Sequence, residues 1–91
     1  MQNFTFNQGD VALIQCIAMS TQDTDVKWFR NSNLIQPSDN YVMDYDYKNG
    51  LCSLSIGTAM PEDSGQYTCV VSNYAGSESS TSFITVKGKL N

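Results

Sequence analysis

Four residues constrain the fold of this sequence more than any others: Cys16, Trp28, Tyr67 and Cys69. Trp28 follows Cys16 by 12 residues, and Cys69 follows Cys16 by 53 residues. Tyr67 lies two residues before Cys69, so in a strand, where side chains alternate between faces, both point to the same side. A tryptophan between two widely spaced cysteines, with a tyrosine just before the second, is typical of a core enclosed by two β-sheets.

Turn-forming residues recur at short intervals, and the segments between them alternate apolar with polar residues. This pattern predicts an all-β sandwich or barrel. Asn49 and Gly50 suit a tight hairpin turn, because both residues tolerate positive φ. A long corner is expected over residues 60–65, with room for one helical turn. The predicted strands cover residues 3–7, 11–18, 26–30, 41–45, 51–56, 67–73 and 79–86.

The two-residue period of these strands separates an inward face from an outward face. If Cys16 and Trp28 point inward, the inward rows form a core between two sheets that pack about 10 Å apart. The predicted core residues are Ala12, Ile14, Cys16, Ala18, Val26, Trp28, Cys52, Leu54, Ile56, Tyr67, Cys69, Val71, Ser82, Ile84 and Val86.

The chain carries further motifs from Tyr41 onward. They are residues 41–46, YVMDYD; residues 51–56, LCSLSI; residues 62–69, EDSGQYTC; and residues 72–76, SNYAG. With Cys16 and Trp28, they make the chain resemble I-set immunoglobulin domains, such as those of titin, twitchin, obscurin and myosin light-chain kinase. The resemblance covers nearly the whole chain and implies an immunoglobulin-like Greek-key β-sandwich over residues 1–87. Residues 88–91 are then expected to start a linker.

The resemblance also implies roles for individual residues. Tyr67 is expected to donate a hydrogen bond from its hydroxyl to backbone near Asp63 or an earlier residue, which ties down the corner. Many such domains pair the corner aspartate with an arginine at the start of strand D. The matching position here is Asn40, so no salt bridge is expected at Asp63. The residues with an expected structural role are Cys16, Trp28, Leu54, Asp63, Tyr67 and Cys69.

The first strand of the family, strand A, is expected to be missing or truncated. The chain begins at residues 3–7 with what resembles the following strand, A′.

The oxidation state of Cys16 and Cys69 depends on the compartment of the parent protein. In a reducing compartment both are expected to stay thiols, whereas outside the cell they would form the bridge between the sheets. Cys52 is the odd cysteine of the three. It shares a face with Leu54 and Ile56, so it is expected to be a buried thiol that packs as a small apolar side chain, and not a reactive or metal-binding one.

The composition argues against several classes of function. A net charge of −4, a pI near 4.3 and scattered cations argue against binding to nucleic acid or anionic membranes. No apolar run approaches the length of a membrane span, so membrane insertion is not expected. Without histidine the chain has no Ser-His or Cys-His nucleophile, and no catalytic, metal or cofactor site is expected. If the parent chain is a kinase, its catalytic domain lies elsewhere.

Outward-facing apolar residues are the candidates for an interaction surface. Val11, Leu13 and Ile17 point away from the core if Cys16 points inward. They form either a contact patch or the surface under a missing strand A. The edge that such a strand would leave open invites pairing between two copies of the chain, giving a homodimer. The candidates on the other sheet are Phe29, Val70 and Phe83.

The sequence favours a non-catalytic module of a cytoplasmic muscle or cytoskeletal protein. The resemblance implies that the module spaces neighbouring immunoglobulin or fibronectin-type domains and binds filament proteins. The alternative is a module from the extracellular part of an adhesion molecule or receptor. In that case Asn3 is a candidate glycosylation site, because residues 3–5 form an Asn-X-Thr sequon.

Overall fold

The computed structural model describes residues 2–17 and 24–88, which form two β-sheets. Apart from a 3₁₀ turn at Pro61–Asp63, the regular elements of this part of the chain are strands. The strands are β1 (Gln2–Asn7), β2 (Ala12–Ile17), β3 (Asp25–Arg30), β4 (Asn33–Leu34), β5 (Tyr41–Asp46), β6 (Leu51–Ile56), β7 (Gly65–Asn73) and β8 (Gly76–Lys87). Within the described residues, no helix combines the length and the apolarity that crossing a membrane requires.

The strands divide into a five-stranded sheet, ordered β1-β8-β7-β3-β4, and a three-stranded sheet, ordered β2-β6-β5. The chain passes from one sheet to the other between β1 and β2 and back again between β2 and β3. β1 runs parallel to β8, and the other paired strands run antiparallel. The predicted Greek-key β-sandwich is confirmed.

Burial follows the predicted two-residue period. Along β6, Cys52, Leu54 and Ile56 have no exposed surface, whereas the residues between them are half-buried. Cys16 and Val26 are half-buried against the core, and Ala18 lies outside the described residues. The buried apolar core is Ala12, Ile14, Trp28, Cys52, Leu54, Ile56, Ala59, Tyr67, Cys69, Val71, Ile84 and Val86. A large apolar side chain buried in this way contributes about 1.5–3 kcal/mol.

The β5–β6 hairpin differs from the tight Asn-Gly turn that was predicted. Asp46 pairs with Leu51, which leaves a four-residue loop between the strands. In this loop Gly50 has a φ of 70°, but Asn49 does not adopt positive φ. The carboxylate of Asp46 accepts hydrogen bonds from the backbone N–H of Lys48 at 3.0 Å and from the side-chain amide of Asn49 at 2.7 Å. These bonds favour the longer loop over the two-residue turn.

The turn with two positive φ values lies between β3 and β4 instead. Asn31 and Ser32 have φ of 50° and 71°, and Arg30 pairs with Asn33 across them. Asn31 is held against β7: its backbone N–H donates to the Gln66 oxygen at 2.8 Å, and its Oδ1 accepts from the Gln66 N–H at 3.0 Å. The two-residue strand β4 was not predicted from the sequence, because contacts with a distant strand fix this turn.

Candidate functional site

The tyrosine corner joins the 3₁₀ turn to β7. Tyr67 has no exposed surface, and its hydroxyl donates a hydrogen bond to the backbone oxygen of Asp63 at 2.7 Å. Burial raises the pKa of Tyr67 above its ordinary value, so the hydroxyl stays protonated and remains a donor at neutral pH. This is the bond that the family resemblance implied, and it fixes the bend through which the chain enters β7.

Asp63 forms a buried ion pair that the sequence analysis did not expect. Asp63 is 2% exposed, and its Oδ1 accepts hydrogen bonds from Nη1 of Arg30 at 3.1 Å and from the Tyr41 hydroxyl. Its Oδ2 accepts a hydrogen bond from the backbone N–H of Met60 at 2.8 Å. The expectation was wrong because the cation comes from the end of β3 and not from the position of Asn40, just before β5.

Trp28 is 2% exposed and pairs in register with Cys69 on the adjacent strand β7. Its indole Nε1 has no hydrogen-bond partner among the described residues. An unpaired buried donor costs about 1–3 kcal/mol. Burying the roughly 150–250 Å² of a large aromatic side chain is worth about 4–6 kcal/mol, so packing outweighs the unmade bond. The tryptophan therefore acts as a packing element of the core.

Cys16, Cys52 and Cys69 form a cluster of three free thiols, the thiol cluster. Cys16 and Cys52 are direct partners across β2 and β6, and Cys69 belongs to β7 of the other sheet. The three Sγ atoms lie within 4.8 Å of one another. Cys52 was predicted to lie in the core, but its two thiol neighbours were not predicted. The inward direction shared by Cys16 and Cys52 was a signal, but the register that makes them partners was not available from the sequence.

Cys16 differs from the other two thiols in the direction of its pKa shift. Hydrogen bonds, first from Cys69 and then from Cys52, lower the pKa of Cys16 to about 7 against the opposing effect of burial. Burial raises the pKa of Cys52 to about 11. The hydrogen bond to Cys16, together with burial, raises the pKa of Cys69. The two neighbouring thiols therefore favour the thiolate form of Cys16 and lower its pKa.

The face of β2 that points away from the core is apolar. The structure places Val11, Leu13 and Ile17 on it, with exposed fractions of 63%, 48% and 79%. Val42 of β5, which the sequence analysis missed, is 54% exposed and lies on the same face, because Leu13 and Val42 both pair with Ser55. No strand among the described residues pairs with the second edge of β2. This strand thus combines an exposed apolar face with an open edge.

The outward face of the five-stranded sheet is less exposed than the sequence analysis expected. Phe83 is 40% exposed, but Phe29 and Val70 are half-buried. Leu34 of β4, the pairing partner of Phe29, is 48% exposed. Scattered apolar side chains of this kind are normal on protein surfaces.

Comparison with known proteins shows the family of this sandwich. The family model of the immunoglobulin I-set domain matches residues 1–86. Titin of Drosophila melanogaster is 35% identical over 82 residues, or 90% of this chain, and telokin of Meleagris gallopavo is 31% identical over 80 residues, or 88%. Vascular endothelial growth factor receptor 1 of Gallus gallus is 30% identical over 84 residues, or 92% of this chain.

The solved structure of titin domain M7 is similar, with 31% identity and a TM-score of 0.86. The match covers 96% of this chain and 87% of that one. This chain spans 51% of the length of telokin, 6% of the receptor and a share of titin that rounds to 0%. The chain therefore corresponds to one module of these relatives. It belongs to the immunoglobulin I-set family and is a non-catalytic immunoglobulin domain.

Proposed function

We propose that this domain is a structural and protein-binding module of a multidomain muscle or cytoskeletal protein. It sets the spacing of neighbouring immunoglobulin or fibronectin-type domains and binds filament proteins. The similarity to titin and telokin supports this proposal. Residues 1–87 form the module in this proposal, and residues 88–91 start the linker to the next one.

The observation that carries the spacing role is the parallel pairing of β1 with β8. Gln2 pairs with Ser82 and Asn7 pairs with Lys87, so the chain enters this strand pair at one end and leaves it at the other. Six strand residues separate the two ends by about 20 Å. Neighbouring domains would extend in opposite directions, and tension along the chain would act on the β1–β8 hydrogen bonds together, as shear.

Single-molecule force spectroscopy on the chain, placed between marker domains, tests the spacing role. We expect a single cooperative unfolding step. Gln8→Pro removes the backbone N–H that donates to the Lys87 oxygen at 2.8 Å, so it should lower the unfolding force. Gln8→Ala keeps that N–H and is the matched control. The same unfolding force in both variants would contradict the idea that the β1–β8 pair carries the tension.

Two features of β2 support a binding role. The apolar face formed by Val11, Leu13, Ile17 and Val42 suits a neighbouring domain or a filament protein. The open edge of β2 suits an extended strand, including β2 of a second copy, because an unpaired edge presents free N–H and C=O groups. The outward side of the five-stranded sheet, with Phe83 exposed, would contribute a smaller contact.

We place the parent protein in the cytoplasm, in the sarcomere or the cytoskeleton. An antibody to the domain, applied to source tissue with and without membrane permeabilisation, tests this location. A striated signal that requires permeabilisation is expected, and Cys16 and Cys69 should then be thiols. Staining of intact cells would contradict the cytoplasmic location.

The alternative is a module from the extracellular part of an adhesion molecule or receptor. The similarity to vascular endothelial growth factor receptor 1 and the exposed side chain of Asn3 favour it. A glycan on Asn3 in protein purified from its source, together with a bridge between Cys16 and Cys69, would establish this alternative. An unmodified Asn3 and free thiols would support the cytoplasmic one.

A further inference from the structure

We propose that the thiol cluster of Cys16, Cys52 and Cys69 binds one thiophilic metal cation, with Cu(I) as the preferred ion. This proposal departs from the sequence analysis, which expected no metal site. It rests on the reducing, cytoplasmic location in the proposed function, because a bridge between Cys16 and Cys69 would remove two ligands, but not on the spacing or binding role.

The geometry of the cluster suits three-coordinate binding. With metal–sulfur bonds of about 2.3 Å, three sulfurs around a metal in one plane lie about 4 Å apart. The three Sγ atoms already lie within 4.8 Å of one another. Metal binding thus requires the longest Sγ–Sγ distance to shorten by less than about 1 Å, and rotation of the cysteine side chains is enough for this change.

The backbone holds all three ligands in place. Cys16 and Cys52 are direct partners in the β2–β6 ladder, and Cys69 is fixed in the β3–β7 ladder opposite Trp28. The ligands therefore come from rigid strands of both sheets and not from loops. A site of this kind is preorganised, so little conformational entropy is lost when the metal binds.

The set of donors indicates the ion. Thiolates are soft ligands that select Cu(I), Zn(II) and iron–sulfur clusters. Structural zinc sites are almost always four-coordinate. Among the residues that the structure describes, the group of candidate ligands contains three cysteines and no Asp or Glu, and the sequence contains no histidine. Three sulfurs without a fourth ligand favour Cu(I), which accepts a lower coordination number than zinc.

An ion can approach the cluster from the side of Cys16. Cys16 is half-buried, whereas Cys52 and Cys69 are no more than 2% exposed. A cavity of about 40 Å³ borders Cys16, Cys69 and Glu78. It is large enough to admit a water-sized species. Glu78, an exposed acidic residue, borders this cavity, and its negative charge favours the approach of a cation.

Binding exchanges protons for metal and involves no redox change. Three Cu–S bonds form, the thiols that still carry protons release them to solvent, and copper remains Cu(I) throughout. Thiolates buried alone would be unfavourable, and the bound Cu(I) compensates one of their three charges, so the occupied site keeps a net negative charge.

The test is an anaerobic titration of the fully reduced chain with Cu(I) supplied as its bicinchoninate complex. We expect the chain to take one equivalent of copper from this competitor and its melting temperature to rise. The fluorescence of Trp28, which lies next to Cys69 in the ladder, should be quenched in proportion to the copper bound.

Variants separate a three-sulfur site from non-specific binding. Cys52→Ala and Cys16→Ser each remove one ligand and should weaken Cu(I) binding at least about tenfold, the lower end of the loss typical even for outer-shell residues. Ser53→Ala changes a half-buried residue next to Cys52 and should bind copper as the parent does. Cys16→Ser keeps the test valid if Cys52→Ala fails to fold, because Cys16 lies at the margin of the core.

Three results would overturn the proposal. The first is uptake of clearly less than one equivalent by the parent chain, and the second is unchanged affinity in Cys16→Ser. The third is a loss of thiols. After copper is removed with a chelator, the unfolded chain should still contain three free thiols, and a lower number would show that the cysteines were oxidised. Zn(II) that displaces Cu(I) at equal concentration would overturn the assignment of the ion.

Discussion

Nη1 of Arg30 lies 3.1 Å from Oδ1 of Asp63, and the same carboxylate oxygen accepts a hydrogen bond from the Tyr41 hydroxyl. Arg30 belongs to β3 of the five-stranded sheet, and Tyr41 belongs to β5 of the three-stranded sheet. One buried carboxylate in the corner before β7 therefore connects both sheets.

Replacing the arginine of this pair should destabilise the domain. Arg30→Gln is expected to lower the free energy of unfolding by about 1–3 kcal/mol. Asp63 loses its charged hydrogen-bond donor but keeps two neutral donors, the Tyr41 hydroxyl and the Met60 backbone N–H. The Arg30 side chain is 36% exposed, so water compensates in part, and the loss stays below the roughly 3–5 kcal/mol expected for breaking a fully buried pair. Urea denaturation measures the difference.

Lys27→Gln is the matched control for that measurement. Lys27 lies 3.7 Å from Asp25, with side chains 57% and 64% exposed. Such a surface pair contributes at most about 1 kcal/mol, and we expect a change within about 0.5 kcal/mol. Equal losses in the two variants would mean that the Asp63 pair contributes no more than a surface contact.

Truncating the central tryptophan should remove a large part of the stability of the domain. Trp28→Ala is expected to cost about 3–5 kcal/mol, against a total stability of about 5–15 kcal/mol for a domain. Tyr74→Ala, at a side chain that is 93% exposed, should change stability by less than about 0.5 kcal/mol. Calorimetry that finds Trp28→Ala melting within a few degrees of the parent would refute the central role of Trp28.

The folded domain should be alkylated first at Cys16. Only the thiolate reacts with iodoacetamide, so the rate should rise with pH around the lowered pKa of about 7. Cys52 and Cys69 should be protected, since both are buried and both have raised pKa values. Mass spectrometry after brief labelling identifies the modified cysteine. Equal labelling of the three, or a midpoint near the ordinary thiol value of about 8.5, would contradict this prediction.

Self-association through β2 should depend on its apolar face. We expect sedimentation at high concentration to detect a dimer of the parent chain. A double variant, Leu13→Lys with Ile17→Lys, should remain monomeric because the added charges repel each other across the interface. Both side chains are at least 48% exposed, so the variant should keep the stability of the parent. A parent chain that stays monomeric would exclude the dimer.

The strands and their inward faces were predictable because alternation is a local property of the sequence. Leu54 and Tyr67 could be assigned to the core from their spacing relative to Ile56 and Cys69 alone. The two-residue alternation assigns residues to a face without any knowledge of which strands are neighbours in the sheet.

The features that were not predicted share a physical cause: each depends on contacts between residues that are distant in the sequence. Between Arg30 and Asp63 the chain crosses to the three-stranded sheet and leaves it again, and Cys52 joins Cys16 only through the register of β2 with β6. The type of turn at Asn49 was mispredicted because the register of β5 with β6 leaves a four-residue loop, which hydrogen bonds to the Asp46 carboxylate stabilise.

The pairing of β1 with β8 also determines when the domain can finish folding. Each pair in this ladder joins residues 80 positions apart, such as Gln2 with Ser82. On a ribosome, the segment made first must wait for the segment made last, so the nascent chain holds its first strand unpaired until synthesis of the domain is nearly complete. Such distant pairings slow folding, and an unpaired strand is prone to aggregate. In an array of similar domains, that waiting strand is the element most exposed to pairing with the wrong neighbour.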